Sequence, residues 1–192
     1  MRTSVRLFLV RHGETDWNAA GRLQGHADRP LSERGREQAA RAAERFAGIP
    51  FAAAVSSDLV RARETASILG SSLGLEARPD PRLREIHFGE WEGLTLAEVR
   101  ARSAGGRFVF DLDPLDARAP GGESARDVAA RVFAAADDLA RAAPGERVML
   151  VAHALPIALL RCRARGLPLA GAWKSPLRNL GFDLLDWPPG AG

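Results

Sequence analysis

Two β-rich apolar runs in this sequence, Val5 to Val10 and Val148 to Ala152, each lead into a histidine. Arg11-His12-Gly13-Glu14-Thr15 follows the first run and His153 the second, while a weaker run, Phe51 to Val55, leads into Ser56 to Arg61. In open α/β sheets ligands bind beyond the carboxyl ends of the strands. Two histidines (His12, His153) and two arginines (Arg11, Arg61) are therefore expected to meet at one place. The planar guanidinium fork pairs with phosphate oxygens in a way that an ammonium cannot imitate. Nearby cations favour the neutral, nucleophilic imidazole. His12 is thus the candidate nucleophile toward phosphorus, forming a phosphohistidine that splits one difficult transfer into two easier steps. Gly13 would let the backbone approach a ligand closely. No cofactor or divalent metal is called for, because the arginines and histidines supply the positive charge that a metal supplies elsewhere.

The leaving oxygen needs a proton donor, and the candidate is Glu85 in Leu83-Arg84-Glu85-Ile86, flanked by Phe88 and Trp91. Partial burial beside aromatics would keep such a carboxyl protonated long enough to act as general acid. Glu90 and Glu92 compete with it by spacing alone. Taken singly, each of these residues has an ordinary explanation: a surface arginine, a structural histidine, a surface Glu/Arg pair. Their shared position after strand ends is what argues for chemistry. A two-metal phosphatase would need clustered ligands, and the nearest thing, Asp111, Asp113 and Asp116, reads as a solvated loop without a histidine partner or calcium-loop spacing. No Gly-rich nucleotide loop appears.

Helical patterns separate the strand candidates. Glu33 to Phe46 is one, and Leu59 to Leu73 is another, with apolar positions recurring at three or four. Ser124 to Ala142 is the longest, with Ser124 and Asp127 forming a capping-box pattern. Leu155 to Arg165 follows the second histidine. With Leu180 to Leu185 as a fourth strand, the order predicts a three-layer α/β fold: a mainly parallel sheet with helices on both faces. Residues 78–120, rich in proline and holding a short helix at Thr95 to Arg102, read as an insertion capping the active site. Trp91, Phe108 and Phe110 are expected to form the wall around the leaving group there. The Pro/Gly-rich end, 187–192, reads as a flexible tail.

At 192 residues the chain fits one domain spanning 1–192. Hydrophobic residues at 46% and charged residues at 27% match an ordinary globular domain. The sequence pI of about 10.2 suggests nucleic acid, yet the net charge is only +3 and there is no Tyr. With Lys174 the only lysine, little titrates between neutral pH and the arginine range, so the pI exaggerates the basicity. The arginines are interleaved with Glu and Asp, which provides no continuous basic stripe. No nucleic-acid partner is expected. Cys162 is the only cysteine and no run approaches a membrane span, so a cytoplasmic protein without membrane contact is expected. Oligomeric state is not legible in the sequence.

The motifs in order resemble the histidine phosphatase superfamily, in its phosphoglycerate-mutase-like branch. They are LVRHGETDWN at Leu9 to Asn18, GRLQGHADRPLSERGREQA at Gly21 to Ala39 and SSDLVRARETA at Ser56 to Ala66. LREIHFGEWEG at Leu83 to Gly93, PGGES at Pro120 to Ser124 and VAH at Val151 to His153 complete the set. The resemblance implies that His12 is the phosphorylated histidine, that Arg11, Arg61 and His153 surround the phosphoryl group, and that Glu85 is the acid/base. It also implies that Asn18 and the Gln24-Gly25 segment contact phosphate or substrate, and that Thr15 supports the loop. His26 and His87 fall outside the catalytic positions. Ala154 stands where the family usually has glycine; its backbone N–H is retained for phosphate, and an alanine there is harmless if φ is negative. The short chain and its Phe88 to Gly93 stretch resemble the phosphatase-type members. A metal-independent phosphatase acting on a small phosphorylated metabolite is therefore expected. Phosphoglycerate mutase-type transfer and a noncatalytic phospholigand-binding module are the alternatives.

Overall fold

The computed structural model describes residues 4–103, 106–174 and 176–188. Five strands form one sheet in the order β3-β2-β4-β1-β5: β1 Val5–Arg11, β2 Ala53–Ser56, β3 Ala77–Pro79, β4 Arg147–Ala152 and β5 Phe182–Trp187. All neighbours are parallel except β5, which runs antiparallel to β1. The helices are α1 Asp16–Ala19, α2 Glu33–Ala43, α3 Val60–Ser71, α4 Leu96–Arg102, α5 Val109–Leu112, α6 Ala125–Ala142 and α7 Ala154–Ala164.

The apolar runs behave as strands buried on both faces. Along β1, Val5, Leu7 and Leu9 enter one core while Phe8 and Val10 enter the other, and β4 divides in the same way. Side chains of a strand alternate between faces, so a continuous apolar run requires cover on both. The apolar faces of α6 and α7 supply it on one side, those of α2 and α3 on the other. The capping box of Ser124 and Asp127 starts α6, and a second one, Thr95 with Glu98, starts α4. Among the described residues no helix is long and apolar enough to cross a membrane.

Three expectations are corrected. The sheet has a fifth strand, β3, whose three residues ending in Pro79 carry almost no periodic signal; the segment outside the sheet therefore starts after Pro79. The last strand begins at Phe182, not Leu180, because Leu180 has φ 54°, a left-handed turn that a strand cannot contain. Trp187 does not fray: it is 2% exposed, pairs with Val5 and donates its indole N–H to Asp137 at 2.7 Å. Packing of a large aromatic outweighs the Pro/Gly composition after it. Residues 189–192 of the expected tail lie outside the described residues.

Candidate active site

Register places the histidines. Val10 pairs with Val151 and Arg11 with Ala152 in parallel, so the next residues, His12 and His153, leave the sheet side by side with ring centroids 5.0 Å apart. The His12 Nδ1 lies 2.7 Å from the Gly13 carbonyl oxygen. A carbonyl only accepts, so in the neutral ring Nδ1 carries the hydrogen and Nε2 keeps its lone pair. The Gly13 N–H donates to Thr65 Oγ1 at 3.0 Å, and that hydroxyl donates to the Arg61 carbonyl at 2.7 Å, tying the loop after β1 to α3. The side-chain amide of Asn179 donates to the carbonyls of His12 and Gly13 at 3.0 and 3.2 Å.

Arg61 is fully buried, with its terminal nitrogens on the carbonyls of Ala27 and Gly25. Arg11 donates to the Leu177 carbonyl at 2.6 Å. Among the described residues, the buried side-chain polar atoms without a partner are Arg11 Nε, Arg61 Nε and both ring nitrogens of His153. Such groups cost on the order of 1–3 kcal/mol each when unsatisfied, and an arriving oxyanion could accept from the two guanidinium Nε–H groups and from the one N–H of a neutral His153 ring. Burial first, then the Arg61 and Arg11 charges, hold His12 well below the ordinary histidine range, with the Gly13 carbonyl opposing. Burial, followed by Arg61, His12 and Arg11, does the same to His153. Burial pulls the Arg61 guanidinium down to about 10 against the charges of Glu85, Asp28 and Glu92. Both imidazoles are therefore neutral beside two cations.

Glu85 closes the site from the segment after β3. Its Oε2 accepts the Ala154 N–H at 3.1 Å, and its Oε1 accepts Leu155 N–H at 3.2 Å and Ile86 N–H at 3.1 Å. The carboxylate thus sits on the N-terminus of α7, where unpaired amides favour negative charge. The expected aromatic setting is not what holds it. From behind, Arg131 donates to the carbonyls of Arg82, Arg84 and Glu85, and His26 Nε2 lies 2.9 Å from the Glu85 carbonyl oxygen. His26 and His87 stack on each other at 4.7 Å.

Arg11, His12, Asn18, Gln24, Gly25, Arg61, Glu85 and Ala154 line one cavity of about 220 Å³. Gly13, Thr15 and His153 do not line it; His153 is held beside His12. Thr15 is fully buried, caps α1 and donates to Gln24 at 2.9 Å. Gly25 has φ 53°, and a Cβ there would lie 2.1 Å from the Glu92 carboxylate, so glycine is required. Ala154 is the first residue of α7 after the extended His153, and positive φ is confined elsewhere; alanine is accommodated without strain. Glu90 points to solvent, and Glu92 is committed to the N–H groups of His26 and Phe88. Asp111, Asp113 and Asp116 are exposed, and no metal-competent cluster occurs among the described residues.

The cavity wall differs from expectation. Trp91, Phe108 and Phe110 do not line it; they pack against one another behind Phe88. Leu23, Ile86, Phe88, Leu155, Trp173 and Pro176 form the wall. A larger, shallower groove of about 870 Å³ along α3 and β3 contains no histidine. Sequence reasoning missed Thr65, Arg131, Trp173 and Asn179. Thr65 alone left a signal, a hydroxyl on the apolar face of α3 one turn after Arg61.

The family model for the histidine phosphatase superfamily (branch 1) matches residues 7–192. A probable phosphoglycerate mutase from an Enterobacter species is 35% identical over 95% of this chain and 85% of its own. The structure of a mycobacterial glucosyl-3-phosphoglycerate phosphatase superposes with TM-score 0.86 at 40% identity, over 95% of this chain and 90% of that one; its complex with VO3 superposes with TM-score 0.85. A putative α-ribazole-5'-phosphate phosphatase from Escherichia coli gives TM-score 0.86 at 30% identity, over the same shares of 95% and 90%. The chain belongs to branch 1 of the histidine phosphatase superfamily, whose members named here are phosphatases and phosphoglycerate mutases.

Proposed function

We propose that the protein is a metal-independent phosphatase that hydrolyses small phosphate monoesters through a phosphohistidine on His12. The observation that carries this reading is the poised imidazole: Nδ1 fixed by the Gly13 carbonyl, the ring neutral through burial and two arginines, and unpartnered cationic and imidazole nitrogens around it. Arg11, Arg61 and His153 would bind the phosphoryl oxygens and stabilise the charge that develops in transfer. An arriving oxygen would take the Ala154 and Leu155 amides and free a Glu85 oxygen to carry a proton. His12 Nε2 then attacks phosphorus, the ester P–O bond breaks, and the Glu85 proton goes to the departing oxygen. In the second step water attacks the phosphohistidine, Glu85 takes its proton, and the N–P bond breaks to release inorganic phosphate. The VO3 complex of the mycobacterial relative accords with a centre for a transferring phosphoryl group.

Phosphatase is favoured over mutase by the remaining charges. A mutase must hold a second anionic group of its substrate, and beyond Arg11 and Arg61 the cavity is lined, among the described residues, by one further cation, Arg22. That side chain is already bonded to the Gly93 carbonyl at 2.7 Å and lies 3.5 Å from Glu98. The test is a rapid acid-sensitive quench with 32P-labelled phenyl phosphate in EDTA. Acid-labile label on His12, absent in His12→Gln, is expected. Label elsewhere, or activity that requires added Mg²⁺ or Mn²⁺, would overturn the reading.

A further inference from the structure

The cavity has a neighbour. On the other side of the 3-10 turn Leu169–Lys174 lies a groove of about 700 Å³, floored by Phe110, Ala158, Cys162, Leu167 and Pro168. Ala172 and Trp173 line both spaces, so the indole of Trp173 stands between them. Of the charged groups along the groove, Arg161 and Arg165 both reach Asp183 behind it, at 2.6 and 2.7 Å, Asp111 faces Arg100 at 3.4 Å, and Lys174 is exposed. The floor that the groove offers beyond the indole is apolar.

The indole is braced. Its Nε1–H donates to the Pro114 carbonyl at 2.7 Å, and its ring lies 4.8 Å from that of Phe110 at an interplanar angle of 33°. Phe110 is itself 2% exposed and held edge-on by Phe88 and Trp91. Rotation of Trp173 out of place would break a hydrogen bond and unstack a ring whose partner cannot follow. A flexible surface tryptophan would adapt to the ligand; this one is a fixed wall.

We propose that Trp173 is a specificity-determining residue that sets the length of leaving group the site accepts, by closing the catalytic cavity off from the apolar groove. This rests on the hydrolase reading above. On that reading the phosphoryl group is held by Arg11, Arg61 and His12, which line the same cavity as Trp173, so distance along the ester is measured from a fixed origin. A short alcohol fits within the cavity. A long apolar one meets the indole face before the phosphorus reaches His12.

The test compares phenyl phosphate with biphenyl-4-yl phosphate, whose phenolate leaving groups are similar in basicity and differ in length. In Trp173→Ala the ratio of kcat/KM for the biphenyl ester over the phenyl ester should rise at least tenfold. Trp173→Phe, which keeps a ring but shortens the wall, should fall between Trp173→Ala and wild type. Phe110→Leu, which removes the brace and keeps the indole, should raise the ratio in the same direction. An unchanged or lowered ratio in both Trp173 variants would overturn the proposal, since loss of a merely structural residue would depress both substrates together. Quenched phosphoenzyme with phenyl phosphate separates the two readings. Label on His12 with no change of ratio sinks the inference alone, whereas no label in wild type sinks the hydrolase reading.

Discussion

The rings of His12 and His153 lie 5.0 Å apart and tilted at 59°, beneath two arginines, so that a proton on one ring adds to the cost of a proton on the other. Both are held well below the ordinary histidine range, by burial first and by the Arg61 charge next. Folding therefore disfavours protonation, and below about pH 6.5 the unfolded chain binds more protons than the folded one. Stability should be level above that pH and fall beneath it, by about 1.4 kcal/mol per pH unit for each histidine. Denaturant midpoints between pH 8 and 5 check this. His26 is also held below the ordinary range, by burial first, so His153→Gln should reduce the slope between about pH 6.5 and 5 without abolishing it, and an unaltered slope would show that His153 is not among its sources.

Glu85→Gln should slow enzyme phosphorylation by an alkyl phosphate by about 10²–10⁴-fold and phosphorylation by p-nitrophenyl phosphate far less. An alkoxide needs a proton as it leaves, while p-nitrophenolate does not. Gln also presents one oxygen where Glu85 uses two for Ala154, Leu155 and Ile86, so the informative quantity is the difference between substrates. Single-turnover quench measures the first step alone. Equal losses for both substrates would remove Glu85 from the acid role.

Ala154→Pro isolates one N–H group. Ala154 is the first residue of α7 and His153 before it is extended, φ −123° and ψ 179°, which suits both proline and the residue preceding one. The helix should persist, with a thermal midpoint close to wild type. Loss of the amide that reaches Glu85 should reduce kcat/KM about 10–100-fold, the worth of one charge-assisted hydrogen bond. Ala154→Gly keeps the amide and should cost about 0.5–1 kcal/mol of stability with little kinetic change. Equal rates for the two variants would show that this amide takes no part.

Gly35→Ala should be among the most destabilising small substitutions in the chain. A Cβ at residue 35 would lie 2.0 Å from the Glu14 carbonyl oxygen, and in return a Cβ at Gly13 would lie 2.8 Å from the Gly35 oxygen. The start of α2 and the loop carrying His12 are thus packed backbone to backbone. Forcing them apart should cost about 1–3 kcal/mol, as overpacking does, and should displace the Gly13 carbonyl from His12 Nδ1. Urea unfolding gives the first quantity. The rate of phosphoenzyme formation gives the second, and full retention of both would contradict the close packing.

Much of the architecture was legible because its signals are local. The apolar runs of β1 and β4, the period of α3 and the Ser124 cap of α6 depend on neighbours in sequence, and the rule that sites lie beyond strand ends was enough to gather His12, Arg11, Arg61 and His153. The need for a proton donor pointed to Glu85, with Glu90 and Glu92 left as competitors by spacing, and motif order supplied Thr15, Asn18, Gln24 and Gly25, which no periodicity marks. What escaped was non-local. β3 is three residues long and is a strand only because β2 pairs with it, and Trp187 is ordered only because Val5 and Asp137 lie beside it. Arg131 reaches the segment bearing Glu85 across 46 residues of chain, Asn179 reaches His12 across 167, and nothing near either in sequence sets it apart from its solvated counterparts. Trp173 rather than Trp91, Phe108 or Phe110 became the wall for the same reason: aromatic composition marks a residue that packs, and only the three-dimensional fold decides which face of the packing the ligand meets.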